Sequence, residues 1–215
     1  MKKVAILGSG QVGEVLANGF LSHNFAAMRA SREPAKLEAW KQSAKGEASI
    51  GTFVEAAKWA DILVLCVKGA AAESVVESIA PHIANKTVID TTNPIGDAPP
   101  KNGVIQYFTA QNESLMERLQ HKAPNAHFVK AFNSVGSVLM VNPKLPSTPT
   151  MFICGNDAGA KRETTDILTT FGWESFDCGG VESAAPIESL CILWCIPGFV
   201  RNDWSHAFKI LHPAK

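Results

Sequence analysis

The 215-residue sequence has no excess of either charge, since 20 Lys and Arg offset 20 Asp and Glu. Without a global field nothing draws a polyanion or an anionic bilayer, so no nucleic acid and no membrane is expected as partner, and a small molecule is. Paired C-x-x-C spacing is missing among Cys66, Cys154, Cys178, Cys191 and Cys195. Four of them lie in apolar surroundings and read as buried free thiols in a reducing cytoplasm. His and Cys never fall at metal-ligand spacing, and Cys191 and Cys195, one helical turn apart, lack a third ligand, so no metal is expected. Long hydrophobic runs are also missing. The apolar run after Lys2 and Lys3 ends in glycines and is too short for a signal sequence. Residues 187–200 hold a glutamate and a proline and fall short of a membrane span. There is no internal repeat, low-complexity segment or G-x-S-x-G elbow. The expectation is a cytoplasmic protein with one main core and a small appendage.

What is present is a recurrence of short β-rich runs at residues 4–7, 26–30, 62–67, 88–90, 127–132 and 151–154, each followed by helical periodicity or a turn. Such alternation predicts βαβ units and a parallel sheet. Val12, Leu16 and Phe20 share one helical face, with Asn24 as a left-handed cap beyond it. Residues 34–44 and 70–80 read as further helices, the second closed by Pro81. Residues from Lys161 to Gly180 read as helix, turn and strand. Pro186 opens a helix with Ile187, Leu190, Cys191 and Trp194 on one face, and Trp204, Phe208 and Leu211 form another stripe. The proline-rich stretch 141–150 reads as a surface excursion adjoining the site. The predicted class is α/β: a Rossmann-like, doubly wound, mostly parallel sheet with a small C-terminal helical extension. Residues 1–155 are expected to form the Rossmann domain and 156–215 a strand and helices packing on the sheet or on a partner subunit.

Function enters through VAILGSGQVG at residues 4–13, a strand running into G-x-G-x-x-G. In such a turn Gly8 permits the bend, Gly10 lets the backbone approach a pyrophosphate, and Gly13 allows close helix–strand packing. The helix start then offers unsatisfied N–H groups and partial positive charge to the phosphates. At the end of the second strand, where an NAD site offers an acid to the ribose 2′-hydroxyl, the chain reads RASREPAK. Ser31 and Arg32 stand there instead, and a guanidinium suits a 2′-phosphate, so NADP(H) is favoured over NAD, with Lys36 one turn later.

Ligands of open α/β sheets lie beyond the carboxyl ends of the strands. That places Val67 and Lys68, then Thr91, Thr92, Asn93 and Pro94, then Ala131, Phe132 and Asn133 at the expected site. Asn93 and Asn133 have the chemistry to orient a nicotinamide carboxamide or a second substrate, and equally to close turns. Phe132 lines the ring site or fills the core. A carbonyl reductase needs a proton donor at this edge, and none of the six histidines falls there. Transfer to a flavin-like ring demands only close approach of two ring faces and a dry pocket.

Six segments together, GSGQVG from Gly8, SREPAK from Ser31, ADILVLCVKG from Ala60, VIDTTNP from Val88, VKAFNSV from Val129 and the tail from GWESFDCGG to IESLCILW, resemble the deazaflavin (coenzyme F420)-dependent NADP oxidoreductases. That family is itself similar to the NADPH domain of membrane metalloreductases. The resemblance implies pyrophosphate binding by Gly8, Ser9, Gly10, Gln11 and Val12, 2′-phosphate binding by Ser31 and Arg32, and a nicotinamide and deazaflavin site bordered by Val67, Asn93, Ala131, Phe132 and Asn133. It implies direct hydride transfer between NADP(H) and a deazaflavin or flavin (FMN or FAD) acceptor, and a homodimer through the C-terminal helices. In place of the arginine usual before the tail helix, this chain has Ala184, Ala185 and Pro186. Reduction of a small imine or ketone, or a noncatalytic NADP-sensing module, are the competing readings. Arg32→Ala is expected to weaken NADP binding by about 1.5–3 kcal/mol and leave NAD nearly unchanged; an equal loss for both in a binding titration contradicts the assignment.

Overall fold

In the computed structural model, which describes residues 1–213, six strands form one sheet: β1 (Lys3–Leu7), β2 (Ala26–Ala30), β3 (Ala48–Gly51), β4 (Ile62–Leu65), β5 (Thr87–Asp90) and β6 (His127–Lys130). Their order is β3-β2-β1-β4-β5-β6 and every pairing is parallel. The chain reverses its direction of travel across the sheet between β1 and β4, which leaves a crevice at their carboxyl ends.

Side chains alternate across each strand, and both faces are apolar because helices cover both. Val4, Ile6, Ile62, Val64 and Val129 point to one face, under α1 (Gln11–Ser22) and α6 (Ala158–Thr170). Ala5, Leu7, Leu63, Leu65 and Phe128 point to the other, under α3 (Phe53–Trp59), α4 (Gly69–Ile79) and α5 (Leu115–Lys122). The predicted helix at 34–44 is a 3₁₀ turn, Pro34–Leu37, followed by α2 (Glu38–Ser43). Asn24 takes the expected left-handed conformation, with φ of 62°.

β3, α3 and α5 were not predicted. β3 has four residues at the sheet edge, too few to show alternation. The two helices span 7 and 8 residues, about two turns, where a 3.6-residue period barely registers. Their signal lies at the N-termini instead: Thr52 with Glu55, and Ser114 with Glu117, form capping boxes.

The C-terminal part departs further from expectation. β7 (Thr150–Ile153) does not extend the main sheet. It pairs in parallel with β8 (Glu174–Asp177), and the Lys130 amide donating to the Cys154 carbonyl at 3.0 Å links this small sheet to β6. The stretch 141–150 does not line the cleft at the glycine turn. Val141 packs on Gly19 in the last turns of α1, whose start holds the glycine turn, and Pro143 packs on Gly172. No helix forms over 204–211. Asn202 turns left-handed (φ 55°) after α7 (Ala184–Arg201), and the Trp204 ring packs on Trp194 with centroids 5.6 Å apart. The Thr150 amide donates to the Phe208 carbonyl, so this tail satisfies its backbone against β7 rather than within a helix. With the turn before it, residues Val181–Arg201 are long and apolar enough, by length and composition, to cross a membrane, longer than the sequence reading allowed. One face is committed to the domain through Ile187, Glu188, Cys191 and Trp194, whereas Leu193, Phe199 and Val200 are exposed.

A buried ionic cluster fixes α7 to the sheet. Lys130 Nζ at the end of β6 lies 2.6 Å from Asp90 Oδ2 and 2.7 Å from Glu188 Oε1, with all three side chains at most 1% exposed. The same ammonium donates to the Thr92 carbonyl at 2.9 Å. Glu188 accepts from the Leu115 and Met116 amides, and Ser114 from the Glu117 amide, so the first three amides of α5 are all satisfied. Burial pulls the Lys130 pKa down, but the facing carboxylates outweigh it and hold the group above its ordinary range. Its contribution to stability is therefore intact at neutral pH and disappears only as pH rises through that raised value. Lys130→Met strands two buried carboxylates and should cost about 3–5 kcal/mol in urea denaturation. Adding Glu188→Gln should recover part of this, and a Lys130→Met loss below about 1 kcal/mol would contradict the cluster's role.

Candidate functional site at the carboxyl edge

Leu7 pairs with both Ala30 and Leu65, so the chain leaves β1, β2 and β4 at one level. The three following loops stand side by side and line a cleft of about 370 Å³. Gly8, Ser9 and Gly10 come from the first, Ser31 to Glu33 and Lys36 from the second, and Cys66, Val67 and Lys68 from the third. Phe53, Ala71, Ser74 and Val75 complete the wall, of which Phe53 belongs to the unpredicted α3.

The glycines have separate physical reasons. Gly8 has φ of +150°, and a Cβ there would sit 2.5 Å from the Cys66 carbonyl oxygen. A Cβ on Gly13 would sit 2.7 Å from the Gly8 carbonyl oxygen, because α1 presses directly on the turn. At Gly10 the same construction meets nothing within 4 Å. The turn is therefore tight where protein meets protein and open where a ligand approaches. Gly10 caps α1 without any side-chain bond, and the Gly10 and Gln11 amides have no protein acceptor among the described residues. Open space beside unsatisfied donors at a helix start fits a diphosphate.

The electrostatics of the cleft differ from those of the chain. Arg32, Lys36 and Lys68 face one carboxylate, Glu33, which pairs with Lys36 at 2.9 Å. Arg32 is exposed and has no ionic partner among the described residues. Ser31 is buried, and its Oγ accepts from the Glu33 amide at 3.1 Å, which orients the hydroxyl at the mouth of the loop. Burial pushes the Cys66 thiol up to about 12, so it adds no negative charge at neutral pH.

Asn93, Pro94, Ala131, Phe132 and Asn133 do not line this cleft; they follow β5 and β6, further along the same edge. Asn93 Nδ2 donates to the Asn133 carbonyl at 2.7 Å, while Asn133 Nδ2 donates to Asn93 Oδ1 and to the Ile187 carbonyl. Asn133 Oδ1 is buried with no partner among the described residues. An acceptor left in that state marks a place for an incoming donor. Ala131 and Phe132 have side chains buried in the core, Phe132 beside Phe171. What they give the edge is the turn itself: Phe132 holds φ of +61°, an uncommon conformation for an aromatic residue, and it re-aims the chain to present Asn133. Pro94 is also buried.

Among the described residues no histidine and no free tyrosine hydroxyl stands beside these residues, and the cleft wall carries the exposed Lys68. None of the histidines lines the cleft. Tyr107 donates to the Glu188 carbonyl at 2.6 Å, and its hydroxyl is held well above its ordinary pKa by burial. Lys130 is engaged in its ion pairs. Sequence reasoning missed this cluster, and it missed Arg29, whose guanidinium donates to the Ser9 and Gly10 carbonyls under the glycine turn.

Residues 3–94, from β1 through the loop after β5, match the family model described as "NADP oxidoreductase coenzyme F420-dependent". The chain is 27% identical over 203 residues to the F420-dependent NADP reductase of Methanocaldococcus jannaschii, covering 87% of this chain and 88% of that one. It is 26% identical over 199 residues to the metalloreductase STEAP3 of Rattus norvegicus, covering 87% of this chain but only 36% of the relative's length. A crystal structure from Arthrobacter sp. FB24, of a protein described as a candidate F420-dependent NADP reductase, superposes with a TM-score of 0.90. That likeness is at 25% identity and covers 99% of this chain and 100% of the other. An open turn at the helix start, a cationic loop beside it and these likenesses agree: the chain is an NADP(H)-dependent oxidoreductase similar to the coenzyme F420-dependent NADP oxidoreductases.

Proposed function

We propose that the protein transfers a hydride between NADP(H) and a planar ring acceptor of the deazaflavin or flavin type, in the cytoplasm. The observation that carries this reading is the contrast along one edge. One end is suited to phosphates, and the other presents an amide pair with no histidine and no free tyrosine hydroxyl among the described residues. Bound NADPH supplies the hydride. The Gly8–Gly10 turn and the first amides of α1, from Gln11 and Val12, hold the diphosphate, with Gly13 keeping α1 close. Ser31 and Arg32 hold the 2′-phosphate, with Lys36 adjacent. Val67 and Lys68 wall the middle of the site. The unpartnered Oδ1 of Asn133 receives the nicotinamide carboxamide, and Asn93 fixes the angle of Asn133. Pro94, Ala131 and Phe132 shape that end and exclude water from it.

A ring acceptor needs orientation and a dry approach, which these residues supply; a carbonyl or imine substrate also needs a proton, for which the described residues of the site offer no histidine and no free tyrosine hydroxyl, only the exposed Lys68 ammonium in the cleft wall. NADPH oxidation followed by absorbance with a deazaflavin, FMN, a ferric chelate and small imines or ketones in turn tests the reading. Turnover confined to planar rings is the expected result. Turnover of imines or ketones would contradict it, as would tight NADPH binding without turnover of any acceptor.

The exposed Leu193, Phe199 and Val200 on α7 support a homodimer through the C-terminal helix. Sedimentation velocity should show a dimer at micromolar concentration, and Leu193→Glu should shift it to monomer. A monomer throughout the concentration range would remove this part of the proposal.

A further inference from the structure

Arg29 occupies a position where the strand pattern calls for an apolar side chain. It follows Ala27 on the α1 face of β2 and pairs in register with Ile6, yet it carries a full charge and is 1% exposed. Its guanidinium stacks over Trp40, 5.1 Å from the ring centroid, and its Nε is buried without a partner. Burial of this kind is costly unless the charge is paired and hydrogen-bonded. Three hydrogen bonds show where the charge is directed. One guanidinium nitrogen reaches the Ser9 carbonyl at 3.0 Å and the Gly10 carbonyl at 3.2 Å, and the other reaches Glu14 Oε2 at 3.1 Å.

Those two carbonyls belong to the peptide units that carry the Gly10 and Gln11 amides. In a trans peptide the C=O and N–H point in opposite directions. A guanidinium that draws both oxygens toward the interior therefore turns both hydrogens outward, to the side where Gly10 has open space and its amide has no protein acceptor. The same bonds polarise each peptide unit and make its N–H a stronger donor. Among the described residues the only carboxylate bonded to this guanidinium is Glu14, whose side chain is 54% exposed and so offsets the buried charge weakly. We infer that Arg29 is a positioning residue for the diphosphate: from beneath the turn it aims and strengthens the Gly10 and Gln11 amides and adds a buried positive charge behind them. Arg32 serves the ribose end from outside, and Arg29 serves the diphosphate from inside, whichever acceptor the enzyme uses.

The two arginines are separable by ligand. Affinities for NADPH, NADH and adenosine 2′-monophosphate, which lacks the diphosphate, are to be measured by titration for Arg29→Met, Arg29→Lys and Glu14→Gln. Arg29→Met should weaken NADPH and NADH by the same factor, about 10- to 100-fold, and leave adenosine 2′-monophosphate within about 2-fold. Arg29→Lys, which keeps the charge but loses the fork, should fall between. Glu14→Gln leaves the core intact and removes the offsetting charge, so both dinucleotides should bind about 2- to 3-fold tighter at low salt, the gain fading as salt rises. The inference is overturned if Arg29→Met lowers thermal stability but leaves dinucleotide affinity within 2-fold, or if all three ligands weaken together. Should Arg29→Met fail to fold, Glu14→Gln decides alone: weaker or unchanged dinucleotide binding at low salt would overturn it.

Discussion

A helix cannot satisfy its own first amides, and the carboxyl edge of this sheet is organised around that fact. β1 delivers the chain to the start of α1 through a turn pressed so closely on β4 and α1 that Gly8 and Gly13 have no room for a side chain. The amides at the helix start are left facing open space. The parallel register of β2, β1 and β4 then sets a loop with Arg32 and Lys36 on one side and a loop with Lys68 on the other. A chain with no net charge thus presents a local anion site whose field comes from oriented peptide groups and a few cations, and not from composition.

Buried charge is used twice for placement. Below the glycine turn, Arg29 ties two carbonyls of the loop to β2. Behind the far end of the edge, the Lys130 cluster joins β5, β6, α5 and α7 and fixes the Thr92 carbonyl next to Asn93. Such groups cost solvation energy that an apolar core would not, and their geometric selectivity is what a site of fixed shape can exploit. The amide pair Asn93 and Asn133 hangs between them, held to α7 by the Ile187 carbonyl. The C-terminal helix therefore takes part in shaping this end of the edge while its outer face stays apolar.

The sheet, the glycine turn and the Ser31–Arg32 pair were legible because each is a local pattern: an apolar run, a fixed spacing, a missing acid. What escaped was either short or non-local. α3 and α5 are too brief to show periodicity, although their Thr52/Glu55 and Ser114/Glu117 caps were readable. Arg29 was readable too, as a charge on the core-facing parity of a strand, once β2 was placed beside β1. The pairing of Asp90 with Lys130 across 40 residues, and of both with α7, depends on register and leaves no trace in spacing. The tail misled for a different reason: Trp204 and Phe208 have helical spacing but spend it on packing against Trp194 and β7.

The edge carries Arg32 and Lys36 at one end, Lys68 in the middle and an unpaired acceptor at the other end, so the proposed dinucleotide has one direction in which to lie. A crystal structure with NADP+ bound tests this most directly. The account predicts the 2′-phosphate within hydrogen-bonding distance of Ser31 and Arg32, the diphosphate over the Gly10 and Gln11 amides, and the carboxamide beside Asn133. A cofactor lying in the reverse direction, or Arg32 turned to solvent with the 2′-phosphate unpaired, would contradict it.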